Sequence, residues 1–100
     1  MDREVIFSRI AKEKFVALLE YLEALWSFRV EDAFISKFDK CIYIIQKKPD
    51  VFPASDIDKK QHRCVVTKQT TIYYSFNAKQ IRITTLFDTR QHPNKIKKDL

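Results

Sequence analysis

The spacing of apolar residues changes once along this chain, across a proline-bounded loop. Before the loop they recur every three or four positions; from residue 62 onward they alternate. These are the periods of a helix face and of a strand face. Helices first and a run of strands afterwards is the pattern of an α+β domain.

The first half starts with a short strand candidate, Val5 to Ser8, whose last residue can cap a helix by accepting from its free amides. A stripe then follows through Ile10, Phe15, Leu18, Leu19, Leu22, Leu25 and Trp26, with Lys12, Glu13, Glu20 and Glu23 on the wet side. Ser27 offers a second cap, and Val30, Phe34, Phe38, Cys41, Ile42 and Ile45 make a second stripe. Glu31 and Asp32 near its start, and Lys47 and Lys48 at its end, suit the helix dipole, and Pro49 stops it. The short link between the stripes predicts an antiparallel helical hairpin.

Lys47 to Gln61 reads as a loop, with Val51 and Phe52 expected to tuck beneath it. Three strands follow: RCVVTK from Arg63, TTIYYSFN from Thr70 and QIRITTLFD from Gln80. Their links are short, so an antiparallel meander is expected. Alternation places Ile72, Tyr74 and Phe76 on one side of the third strand. In the fourth it groups Ile81, Ile83, Thr85 and Phe87 against Arg82, Thr84, Leu86 and Asp88. The whole is one domain over residues 1–100, β-α-α-β-β-β: a two-layer α+β fold with the hairpin packed on a small antiparallel sheet.

Glycine is absent from all 100 residues. Phosphate-cradling loops and dinucleotide fingerprints need glycine for close backbone approach, so nucleotide hydrolysis and nicotinamide chemistry are discounted. The net charge of +6 is uneven. Residues 1–58 hold nine Lys/Arg against eleven Asp/Glu, and residues 59–100 hold ten against two. The strand half thus carries a positive field that attracts phosphates or an acidic protein surface. Cys41 and Cys64 lie far apart without metal-ligand spacing and read as buried thiols of a reducing cytoplasm. No metal or other cofactor is expected. The opening MDREVIFSR has acids and no apolar core, unlike a secretory signal, and no apolar run reaches the ~20 residues of a membrane span.

The ordered set VIFSRIAKEKFVALLEYLEALWS, KKPDVFP, HRCVV, TIYYSF and LFDTRQHP resembles the RelE/ParE superfamily of bacterial type II toxins over essentially the whole chain, and its ParE-like branch most. The resemblance implies a cytoplasmic, growth-arresting toxin, of the kind associated with plasmid stabilisation. It would form a hetero-oligomer with a cognate antitoxin laid over hairpin and sheet. ParE-like members inhibit DNA gyrase; RelE-like members cut messenger RNA on the ribosome. The ribonucleases commonly use an arginine in strand three, another at the end of strand four, lysines in strand two and a tyrosine near the C-terminus. Here those positions hold Thr71, Arg90, Lys68 nearby, and Ile96. Two groups needed for in-line attack are therefore missing, although His92 could transfer a proton. The favoured expectation is a gyrase inhibitor that is not an enzyme. An endoribonuclease using Lys68, Arg90 and His92, and a basic nucleic-acid-binding module without toxicity, are the alternatives. The expected target-binding residues are Arg63, Tyr73, Arg82 and Arg90; Leu22 and Trp26 are expected to meet the antitoxin, although Trp26 also reads as hairpin packing. Arg63, Arg82 and Arg90 read alternatively as sheet-surface arginines that are solvated or pair with Asp88 and the helix acids.

Overall fold

A computed structural model of the chain describes residues 2–90. Strand β1 (Glu4–Phe7) leads into helix α1 (Arg9–Leu25), and helix α2 (Phe28–Lys47) returns antiparallel to it. A 3-10 turn (Pro49–Val51) and a loop lead to β2 (His62–Val65), β3 (Thr70–Phe76) and β4 (Gln80–Asp88). Both predicted caps form: Ser8 accepts from the Ala11 amide at 3.0 Å and Ser27 from the Val30 amide at 3.2 Å. Pro49 ends α2 and is itself buried.

The sheet is mixed, with strand order β1-β4-β3-β2. The three later strands form the predicted antiparallel meander, while β1 joins β4 in parallel at the far edge. A parallel partner is reached only by a long crossover, and here the helical hairpin, the loop and two strands supply it. Between sheet and helices lie Leu18, Leu22, Phe34, Phe38, Ile45, Ile72, Tyr74, Ile81, Ile83 and Leu86. Phe15 and Phe38 pack with ring centroids 4.7 Å apart, inside the range that favours tilted rings.

One irregularity corrects the expected face of β4. Tyr73 pairs with Thr85 but Tyr74 pairs with Ile83, so Thr84 is an extra residue, a β-bulge. Side chains alternate across a strand, so the extra residue reverses the facing beyond it. Ile81 and Ile83 face the helices as expected, but Leu86 and Asp88 do so beyond the bulge, in place of Thr85 and Phe87. The bulge is tied to the helix start: the Ser8 hydroxyl donates to the Thr84 carbonyl at 2.6 Å, and the Ser8 amide to the Ile83 carbonyl at 3.0 Å.

Other expectations also shift. Strand β2 ends at Val65, before Lys68, because the Thr67 hydroxyl accepts from the Gln69 and Thr70 amides and turns the chain out of the ladder. Val51 is exposed, and Phe52 alone of that pair packs against the core. Ile10, Leu25, Trp26 and Val30 are exposed rather than core. They sit at helix ends, three of them around the two-residue link of the hairpin, beyond the stripe that meets the sheet. Tyr74 is fully buried and its hydroxyl donates to the Pro49 carbonyl at 2.6 Å, which fixes the 3-10 turn on the sheet. Among the described residues, no helix is long and apolar enough to cross a membrane.

Candidate functional site

Two surfaces carry the residues singled out from the sequence. The first is a cleft of about 220 Å3 where the helical hairpin meets one end of the sheet. Leu22, Val30, Ala33 and Phe34 give it an apolar wall, and Thr67, Gln69, Lys37 and Arg90 complete its lining. The β2–β3 turn and the exit of β4 are held together there, since the Thr89 amide donates to the Gln69 carbonyl at 2.8 Å.

Arg90 is the most constrained cation in this cleft. Its Nε donates to Asp88 Oδ1 at 2.9 Å and its Nη2 to Oδ2 at 2.6 Å. Its backbone amide donates to the same Oδ1 at 2.9 Å, and the buried Thr70 hydroxyl donates to Oδ2 at 2.7 Å. The guanidinium also lies over the Tyr21 ring of α1, 5.7 Å from its centre. Burial pushes the Asp88 pKa upward, but the hydrogen bonds from Arg90 and Thr70 outweigh it and hold the carboxyl below its ordinary value. The Arg90 pKa rises through its bond to Asp88. The pair depends on the bulge, which turns Asp88 to the helix side of the sheet.

The second surface is the sheet face turned away from the helices. Arg63 and Tyr73 are cross-strand neighbours there, and Arg82 pairs with Ser75 on the same face. Arg63 and Arg82 are exposed, with Val65 beside them, whereas Tyr73 is only 8% exposed. Burial raises the Tyr73 pKa, against the pull of Arg63, so the phenol stays neutral. Arg82 also borders a shallow hollow with Arg9, Ile10 and Glu13 at the start of α1.

This arrangement regroups the expected residues. Arg63, Tyr73 and Arg82 share one face; Arg90 lies in the cleft on the other side of the sheet. Leu22 is 1% exposed and forms the cleft floor, while Trp26 is 61% exposed at the tip of the hairpin beside Leu25 and Phe28. Lys68 is exposed in the turn between two residues that line the cleft. His92 and Ile96 lie outside the described residues.

No protein-family model matches the sequence, and no curated protein matches it. A solved structure does: a chain of the chromosomal ParDE TA system from P. aeruginosa superposes with a TM-score of 0.71. The match covers 86% of this chain and 95% of that one, at 10% sequence identity. The fold is ParE-like. At that identity, agreement lies in the backbone and topology, and this chain carries its own surface chemistry on a shared frame.

Sequence reasoning missed several residues in and beside the cleft. Tyr21 and Lys37 carried no distinguishing signal, because each sits on a helix rich in similar residues. Thr67 and Gln69 were hidden inside an expected strand end and link. The Asp88–Arg90 spacing was the readable clue, since an aspartate that accepts from the amide two residues on makes an Asx turn.

Proposed function

We propose that this chain is the toxin of a type II toxin–antitoxin pair and that, like ParE, it acts on DNA gyrase in the cytoplasm. The observation that carries the reading is the ParE-like fold over nearly the full described length. The chemistry of the cleft supports the gyrase branch. Cutting RNA in line requires cations free to stabilise a phosphorane, together with an acid and a base. Arg90 is already neutralised by Asp88, and the strand-three position holds Thr71. Inhibiting a protein target needs a complementary surface instead. The outward face with Arg63 and Arg82 around the buried Tyr73 is the surface proposed for that contact.

The cognate antitoxin is proposed to lay an amphipathic, acidic segment along the hairpin and into the cleft. Its apolar side would meet Val30 and Phe34 and the exposed Leu25, Trp26 and Phe28, and its carboxylates would meet Lys37. The test is induced expression in a bacterium, with growth, plasmid supercoiling and message integrity followed together. Arrest with gyrase trapped on DNA and intact message is expected. Arrest with message cut at ribosome-bound codons overturns the gyrase reading, and no arrest overturns the toxin reading.

A further inference from the structure

Helix α1 carries its charge against its own dipole. Arg9 and Lys12 stand in its first turn, which holds no acid, and Glu20 and Glu23 lie towards its end, where the last turn holds no base. Helix α2 is arranged the other way, with Glu31 in its first turn and Lys47 in its last. A helix N-terminus favours anions and a C-terminus favours cations, so these charges of α1 do not serve the helix itself.

They share one face. At about 3.6 residues per turn, Arg9, Lys12, Val16, Glu20 and Glu23 fall within an arc of about 80°. All five are exposed, Val16 by 53%. Lys12, Val16 and Glu20 border one open hollow with Glu13 and Ala17. The stripe is symmetric about Val16: Lys12 and Glu20 are equally far from it along the chain, and so are Arg9 and Glu23. Reversing the direction of the helix therefore exchanges every cation for an anion.

We propose that this stripe pairs with itself, joining two copies of the chain through an antiparallel contact between their α1 helices on a two-fold axis at Val16. Lys12 then faces Glu20 of the second copy and Arg9 faces its Glu23, and each contact occurs twice, as a self-complementary interface requires. The two Val16 side chains meet at the centre, and the helix dipoles run opposed. Arg9 is free to take part. It reaches Glu13 through Nε alone, at 3.1 Å, from a side chain that is 91% exposed, and an ion pair so exposed is weak. A partner of a single sign would satisfy one half of the stripe and repel the other, which is why the second copy is the occupant that fits. One helix face from each copy lies at the small end of specific interfaces, so the pairing is reversible and salt-sensitive. The stripe shares no residue with the cleft or with Arg63, Tyr73 and Arg82, and the inference is independent of the proposed toxin target.

The test is sedimentation velocity of the full chain over a range of concentrations at low and high salt. The wild type should shift from monomer to dimer mass with concentration, and the dimer should weaken about tenfold or more in roughly 0.5 M salt. Arg9→Glu with Lys12→Glu makes the stripe wholly acidic, and Glu20→Lys with Glu23→Lys makes it wholly basic. Both double variants align charge with the helix dipole, so both should fold. Each alone should stay monomeric where the wild type pairs, and an equimolar mixture of the two should form a heterodimer. A wild type that is monomeric throughout, a dimer that survives in either variant, or a mixture that fails to pair overturns the inference.

Discussion

Asp88 grips Arg90 at both ends of its carboxylate, 2.9 Å to Nε and 2.6 Å to Nη2, while the Thr70 hydroxyl holds the second oxygen from behind. The carboxylate is almost fully buried and the guanidinium is mostly covered. A bidentate pair in this setting fixes geometry, and removing one partner leaves the other charge stranded.

Asp88→Asn should therefore destabilise the fold by on the order of 2–4 kcal/mol at neutral pH. The folded-state pKa of Asp88 lies below its ordinary value, so the ionised pair stabilises fully above the unfolded-state pKa. That contribution is lost as pH falls through the lower folded-state value. Urea midpoints should differ between variant and wild type at pH 7 and converge in strong acid. A gap that stays constant down to the lowest pH would show that the charge is not what stabilises.

Ser8 joins helix and bulge through a single hydroxyl, which accepts from Ala11 and donates to Thr84. Ser8→Ala removes both bonds. A cost of about 1–2 kcal/mol is expected, with faster hydrogen exchange at the Ala11 amide than at residues mid-helix.

Tyr74→Phe tests the anchor of the 3-10 turn. It keeps the ring and leaves the Pro49 carbonyl without its buried donor. A loss of about 1–3 kcal/mol, seen as a lower denaturant midpoint at unchanged slope, is expected.

The outward cations can be probed without touching the core, since Arg63 and Arg82 are both exposed. Arg63→Glu with Arg82→Glu should leave the melting temperature within a few degrees of the wild type and weaken growth arrest about tenfold or more. Folded protein with full toxicity would remove this face from target binding. Arg90 is unsuitable for the same test, because reversing it sets a second carboxylate against Asp88.

Lys37 separates antitoxin capture from target contact. Lys37→Glu should lower antitoxin affinity about tenfold or more, mainly by slowing association at low salt, while arrest in cells lacking the antitoxin is unchanged. An unaltered association rate would place the antitoxin elsewhere.

What could be read from residues alone was what residues a few positions apart decide. Ser8 and Ser27 announce helix starts, Pro49 a stop, and the alternation through Ile72, Tyr74 and Phe76 a strand face. The parallel insertion of β1 was not legible, because Val5 and its partner Ile81 share no local signal. Nor was the bulge, which falls in a Thr84–Thr85 pair with no glycine or proline to mark it. That one unmarked residue decides whether Leu86 and Asp88 face the core, so it also decides where Arg90 lies. The cleft was missed for this reason, while Tyr73 and Arg82, at regular ladder positions, lie on the faces that alternation assigned them.

The pairing of β1 with β4 has a consequence for the timing of synthesis. Among the described residues the first strand made pairs with the last, β1 with β4, Val5 in register with Ile81. A nascent chain that has emerged only as far as the β3–β4 link carries both helices and yet has no strand on which to close its first four-residue segment. The Thr84 carbonyl that receives Ser8 arrives later still. The sheet therefore closes only once β4 has left the ribosome, and a chain cut short before Gln80 lacks the strand that joins β1 to β3, with the core residues Ile81, Ile83 and Leu86.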